Sequence, residues 1–172
     1  MKKNILTFIT VSAIIFSACA QQKKTTASKA TGDKTKNAVS NLEQVAMERT
    51  PCFGTCPAYR VEVNKDGHVK YTSWSNTKYE GTYEKDFDPA KVATLFNRFE
   101  KYKVDTCQAE YQMMIADIPG INYHFKYKTK ETSISNANFG PGFLSELGGE
   151  VDKFAQVDGT WKKTAEAGQT KD

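Results

Sequence analysis

The sequence is short of the residues that most enzymes lean on. It holds two histidines, five prolines and two tryptophans in 172 residues. His68 and His124 fall on different segments, so no Ser/His/Asp arrangement is readable, and His-Glu-x-x-His is absent. No Cys-x-x-Cys occurs; Cys52 and Cys56 are one residue further apart, and the chain after them reads as a strand. A thioredoxin-type thiol needs a helix N-terminus to lower its pKa, and haem attachment needs Cys-x-x-Cys-His. A closed Cys/His zinc site lacks a clear fourth ligand. Gly140-Pro141-Gly142 lacks the Lys-Ser/Thr of a phosphate loop and reads as a helix start. No clear carboxylate pair stands out. No catalytic residue, metal ligand or cofactor is therefore expected.

Long apolar runs are also scarce. The longest covers Ile5 to Phe16, behind Lys2 and Lys3. It is too short to span a bilayer comfortably and suits a signal peptide. Phe16-Ser17-Ala18-Cys19 resembles the lipobox of bacterial lipoproteins, with Phe16 in place of the usual Leu. In that family the signal is cut before the cysteine, and the thiol carries a diacylglycerol. The resemblance implies a signal peptide over residues 1–18 and lipidation at Cys19. Acyl chains contribute about 0.8 kcal/mol per buried methylene, enough for two or three chains to anchor a protein. No Asp adjoins Cys19, and no acidic cluster follows it. The expected place is the cell envelope: the outer membrane, facing the periplasm, with the leaflet left open.

Large apolar residues are almost missing from residues 20–42, which are rich in Lys, Thr, Ala, Ser and Gln. Such a segment cannot bury enough surface to offset its ordering entropy. Residues 19–42 are therefore read as the lipidated cysteine and a flexible tether, spanning on the order of 25 Å. The formal net charge of +4 misleads, because residues 43–161 carry 14 Lys or Arg against 17 Asp or Glu. A nucleic-acid-binding domain usually carries a basic face of its own, so that partner is not expected.

From Glu43 the pattern becomes periodic. Val45, Met47 and Arg49 alternate with Gln44, Ala46 and Glu48, and Tyr59, Val61 and Val63 with Arg60, Glu62 and Asn64. Period two marks strands with one buried face. Pro51, Gly54 and Pro57 make a turn between them, with Gly54 as the candidate for a positive φ. Lys65-Asp66-Gly67 signals a hairpin into His68–Trp74. Tyr79, Gly81 and Tyr83 suggest a fourth strand. Then the period changes: Asp88 is a candidate N-cap, Pro89 fits the first helical turn, and Val92, Leu95, Phe96 and Phe99 form one stripe. Ile121, Tyr123, Phe125 and Tyr127 alternate again, and Glu131–Asn136 pairs back. Phe143, Leu144, Leu147, Val151 and Phe154 line a second helix, in which Gly148 and Gly149 suggest a kink or a close helix–sheet contact. Trp161 is expected to pack at the end, before a frayed tail over 162–172. The predicted fold is α+β: an antiparallel sheet with two α-helices packed on one face, in the order β-meander, α, β-hairpin, α.

With Cys19 lipidated, Cys52, Cys56 and Cys107 allow three single pairings in an oxidising compartment. Cys52–Cys56 closes a very short loop; a bond from either to Cys107 would staple strand to helix and stabilise more.

The pattern Cys52-x-Gly54-x-Cys56-Pro57-x-Tyr59-x-Val61-x-Val63, followed by Asp66-Gly67-x-Val69-x-Tyr71, resembles an uncharacterised family of bacterial lipoprotein domains of unknown function. Asp117-x-Pro119 and the Leu-rich last helix before Trp161 are similar too, so the resemblance covers about residues 43–161. It implies no activity. It does imply the Cys52–Cys56 pairing, with Cys107 buried or free.

The functional expectation is a membrane-anchored, non-catalytic binding or structural module of the envelope. Its expected partners are the membrane, through its lipid, and an envelope protein or small ligand. Phe53, Thr55, Trp74 and Asp117 are the candidate binding residues. Asp117 reads first as a turn cap; Tyr71, Tyr79 and Tyr83 read first as core and second as a sugar- or peptide-binding platform. A thiol–disulfide protein using Cys52 and Cys56, and an envelope inhibitor or ligand binder presenting the Cys52–Pro57 loop, are the alternatives.

Overall fold

The computed structural model describes residues 41–111, 113, 118–135 and 137–168. The signal peptide expected at 1–18, the expected lipidation site Cys19, the expected tether as far as residue 40, and Asp117 lie outside the described residues. Seven strands form one antiparallel sheet in the order β6-β5-β1-β2-β3-β4-β7. They are β1 (Leu42–Arg49), β2 (Ala58–Asn64), β3 (His68–Ser75), β4 (Gly81–Asp86), β5 (Ile121–Tyr127), β6 (Glu131–Ile134) and β7 (Lys162–Ala165). Two helices, α1 (Pro89–Lys101) and α2 (Gly142–Phe154), interrupt the strands. This is the expected α+β architecture. No helix among the described residues is long and apolar enough to cross a membrane.

Period-two alternation dictates the layering. One row across the sheet runs Ile134, Tyr123, Met47, Val61, Tyr71 and Tyr83. A second runs Phe125, Val45, Val63 and Val69. Both rows face the helices. The opposite face carries His124, Glu62, Lys70 and Glu84, all partly exposed, and the buried Ala46. Burial of one face is what pins the register, since a slip by one residue would expose every apolar side chain.

The helix α1 forms as its sequence predicts. Asp88 accepts a hydrogen bond from the Ala90 amide at 2.9 Å, Pro89 opens the first turn, and Val92, Leu95, Phe96 and Phe99 are buried. Phe99 meets Phe125 and Tyr123 edge-on, at 5.6 and 5.9 Å between ring centres. In α2 the two glycines differ. A Cβ at Gly148 would lie 2.9 Å from both Ile121 Cδ1 and Tyr123 Oη, whereas one at Gly149 would meet nothing within 4 Å. Gly148 thus lets α2 settle onto β5, and Tyr123 donates a hydrogen bond to the Leu144 carbonyl at 2.7 Å.

β1 begins at Leu42, which is fully buried. Three expectations need correction. The fourth strand starts at Gly81 rather than Tyr79, because Gly81 takes a positive φ of 106° and Asn76 another of 56°, and these turn the chain late. Gly54 has no positive φ, and a Cβ there would meet only Cys52 Sγ at 3.8 Å. The segment 162–172 is not wholly frayed: Lys162–Ala165 adds a strand to the outer edge of β4. Trp161 aims it there, buried against Phe87 and donating its indole N–H to the Gln156 carbonyl at 3.2 Å. As an exposed edge strand β7 buries almost nothing, so its sequence carries no apolar alternation.

Candidate functional site

The loop between β1 and β2 is built around the Cys52–Cys56 disulfide, with the two Cα atoms 5.5 Å apart. Cys107 is free and half-buried, and burial pushes its thiol pKa up. Neighbouring turns brace the loop. The Asn76 side-chain amide donates to the Cys56 and Gly54 carbonyls at 3.2 and 3.4 Å. At the loop's root, the Thr50 amide donates to the Gly120 carbonyl at 3.1 Å, and the Gly120 amide donates to Thr50 Oγ1 at 2.7 Å. Phe53 rides at the tip with 90% of its surface exposed. A large apolar ring so presented, on a clamped loop, is the unusual feature here, since single exposed apolar residues on plain surfaces are common.

Beside the loop, on the helix side of the sheet, lies a cleft of about 380 Å³. That volume falls at the lower end of the ~300–1,000 Å³ typical of small-ligand sites. Pro57 of the loop and Asn76, which braces it, both line the cleft. Tyr59, Val61 and Tyr71 form the floor, Thr77, Lys78 and Tyr79 one wall, and Asp152, Ala155, Gln156 and Val157 the other. Strand alternation puts Tyr59 and Tyr71 on the helix side, with ring centres 5.3 Å apart. The second wall comes from the end of α2 and the chain just after it.

At the base of the cleft sits a three-residue cluster. Arg49 donates to Asp152 Oδ2 from Nη2 at 2.6 Å and from Nε at 3.1 Å. Tyr59 donates its hydroxyl proton to Asp152 Oδ1 at 2.6 Å. Burial, and then the hydrogen bond to Asp152, hold the Tyr59 phenol well above its usual pKa. Burial works against the Arg49 charge, but Asp152 outweighs it and raises the guanidinium pKa further. The phenol therefore stays protonated and the arginine charged, and both carboxylate oxygens are occupied. The cluster joins β1, β2 and α2 and offers neither a ready base nor a nucleophile. Lys78 differs: its amine lies 5.2 Å from the centre of the Tyr79 ring. Among the described residues no carboxylate comes within ion-pair distance of it.

The sequence candidates are only partly brought together. Phe53 and Thr55 share the bridged loop. Trp74 is 45% exposed on the other, solvated face of the sheet, near Thr72 and Thr82, and takes no part in the cleft. Tyr71 is buried and Tyr79 half-buried, and both line the cleft; Tyr83 packs edge-on against Tyr79 at 5.9 Å and does not. Among the described residues, no group of three or more His, Cys, Asp or Glu side chains is placed to hold a metal. His68 lies 2.9 Å from Asp86 and His124 3.2 Å from Glu131, both remote from the cleft. Sequence reasoning missed Arg49, Lys78, Asp152 and Gln156. The one available signal was Tyr59, which follows Cys-Pro-x directly and was read only as a core position.

A disulfide-clamped hairpin beside a tyrosine-floored cleft, on a seven-stranded antiparallel sheet backed by two helices, defines a small α+β domain. The model of a family described as a domain of unknown function, DUF6438, matches residues 43–170, and the chain belongs to that family. No curated protein matches the chain.

Proposed function

We propose that the protein is a lipid-anchored, non-catalytic binding module of the bacterial cell envelope, which recognises its partner through the Cys52–Cys56 loop and the adjoining cleft. The Cys52–Cys56 bond carries this reading, because disulfides persist in oxidising compartments outside the cytosol. The lipobox-like Phe16-Ser17-Ala18-Cys19 supplies the anchor, and residues 20–40 the tether. The self-contained Arg49–Asp152–Tyr59 cluster supports binding over catalysis, since it occupies both oxygens of the carboxylate that lines the cleft.

Intact mass of the exported chain, with and without reductant, tests the address. The expected mass is that of a chain beginning at Cys19, plus diacylglycerol and one disulfide. An unmodified chain with free Cys52 and Cys56 would sink the reading. Capture of envelope proteins by wild type and by a Phe53→Ala, Thr55→Ala variant tests the surface, and unchanged capture removes the loop from it.

The thiol–disulfide alternative is weaker on geometry. Strand β2, not a helix, follows Cys56, so no helix dipole lowers either thiol pKa. A redox titration separates the two: a structural bond sits below about −300 mV, and a catalytic one well above.

A further inference from the structure

We propose that the cleft beside the bridged loop binds an acidic saccharide, with Lys78 taking the carboxylate and the rings of Tyr59 and Tyr79 taking the sugar faces. The assignment deepens the binding-module reading and rests on it. Its first ground is charge. Asp152 is the carboxylate that lines the cleft, and Arg49 neutralises it at 2.6 Å. Lys78 is the cation that lines the cleft, and it has no ion-pair partner among the described residues. The cleft therefore offers a net positive group to an incoming ligand, and a flexible ammonium suits a lone carboxylate.

The second ground is the surface around that charge. Tyr59 and Tyr79 are half-buried and line the cleft from floor and wall. An aromatic face carries the negative side of its quadrupole, which attracts the polarised C–H face of a sugar ring. Gln156 is exposed at the opposite wall, and its amide both donates and accepts, as a ring of hydroxyls requires.

The third ground separates sugar from peptide. A peptide bound as an added strand gains its affinity by pairing with a free strand edge. The floor strands β2 and β3 are already paired on both sides, and the open edges of the sheet belong to β6 and β7, away from the cleft. Ring faces, an amide and one cation are what remain.

Saturation-transfer NMR and calorimetric titration of the full chain, purified in detergent, test the proposal with two probes. N-acetylmuramic acid bears a carboxylate; N-acetylglucosamine is its neutral counterpart. The acidic sugar should bind about tenfold more tightly, the margin of one charge-assisted hydrogen bond. Lys78→Gln, an exposed position that leaves the fold intact, should erase that margin. Tyr79→Ala should weaken both sugars. Equal affinity for the two sugars, insensitivity to Lys78→Gln, or no binding of either overturns the proposal. Preferential binding of N-acetyl-Ala-Ala with a free C-terminus also overturns it, in favour of a peptide. A chain without acyl mass would sink the envelope reading and leave this titration standing. Acylated, oxidised protein that ignores both sugars would sink the saccharide assignment alone.

Discussion

Tyr59 and Asp152, 93 positions apart in the chain, share a 2.6 Å hydrogen bond at the base of the cleft. The bond ties the strand that follows the disulfide to the last turn of α2. Tyr59→Phe should cost about 1 kcal/mol, because Asp152 keeps Arg49 and only one charged hydrogen bond disappears. Asp152→Ala should cost more, about 2–3 kcal/mol, since it strands a partly buried guanidinium as well as the phenol. Urea unfolding of the two variants gives the order. Equal costs would mean that Arg49 gains nothing from the carboxylate.

Alkaline pH should loosen the domain. Burial raises the phenol pKa of Tyr59, Tyr71 and Tyr123, and pushes Tyr127 up to about 12. A group whose folded pKa lies above its unfolded value binds more protons in the native state. Its contribution is complete below the unfolded pKa of about 10 and is lost as pH rises toward the folded value. Melting temperature should therefore hold steady up to about pH 10 and fall beyond it, with a shallower fall in Tyr59→Phe. A melting temperature that rises above that pH would contradict the burial of these phenols.

The neighbouring glycines of α2 should respond in opposite directions. Gly148→Ala drives a methyl to 2.9 Å from Ile121 Cδ1 and Tyr123 Oη and should destabilise by about 1–3 kcal/mol. Gly149→Ala meets open space and should stabilise by about 1 kcal/mol through helix propensity. Thermal unfolding of the pair reads the sign directly.

Removing the disulfide should cost little and leave the fold standing. The bridge spans a sequence separation of 4, and so short a loop yields about 2 kcal/mol in the chain-entropy model. Cys52→Ala, Cys56→Ala should keep the circular dichroism of the wild type while its urea midpoint drops. Loss of the whole fold would show that the bond holds the sheet together, which the Asn76 and Thr50 hydrogen bonds make unnecessary.

Much of the architecture was legible because it depends on local periodicity. Val61 and Val63, or Val92, Leu95, Phe96 and Phe99, announce a buried face whatever surrounds them, and Asp88-Pro89 announces a helix start on its own. β7 was illegible for the converse reason: Lys162-Lys163-Thr164-Ala165 pairs by its backbone alone and needs no apolar pattern. Its position depends on where Trp161 is buried.

The order of the first six strands and both helices, their buried faces and the short reach between Cys52 and Cys56 are properties of neighbouring residues, and the sequence by itself determined them. The cleft is not such a property. Its floor comes from β2 and β3, its walls from the turn at Asn76–Tyr79 and from the end of α2, the helix that Gly148 lets lie close on β5. Only the tertiary structure decided that Arg49 and Tyr59 would direct their hydrogen bonds to Asp152 while Lys78 met no carboxylate among the described residues, because pairing between distant residues is set by packing and leaves no periodic trace in the chain.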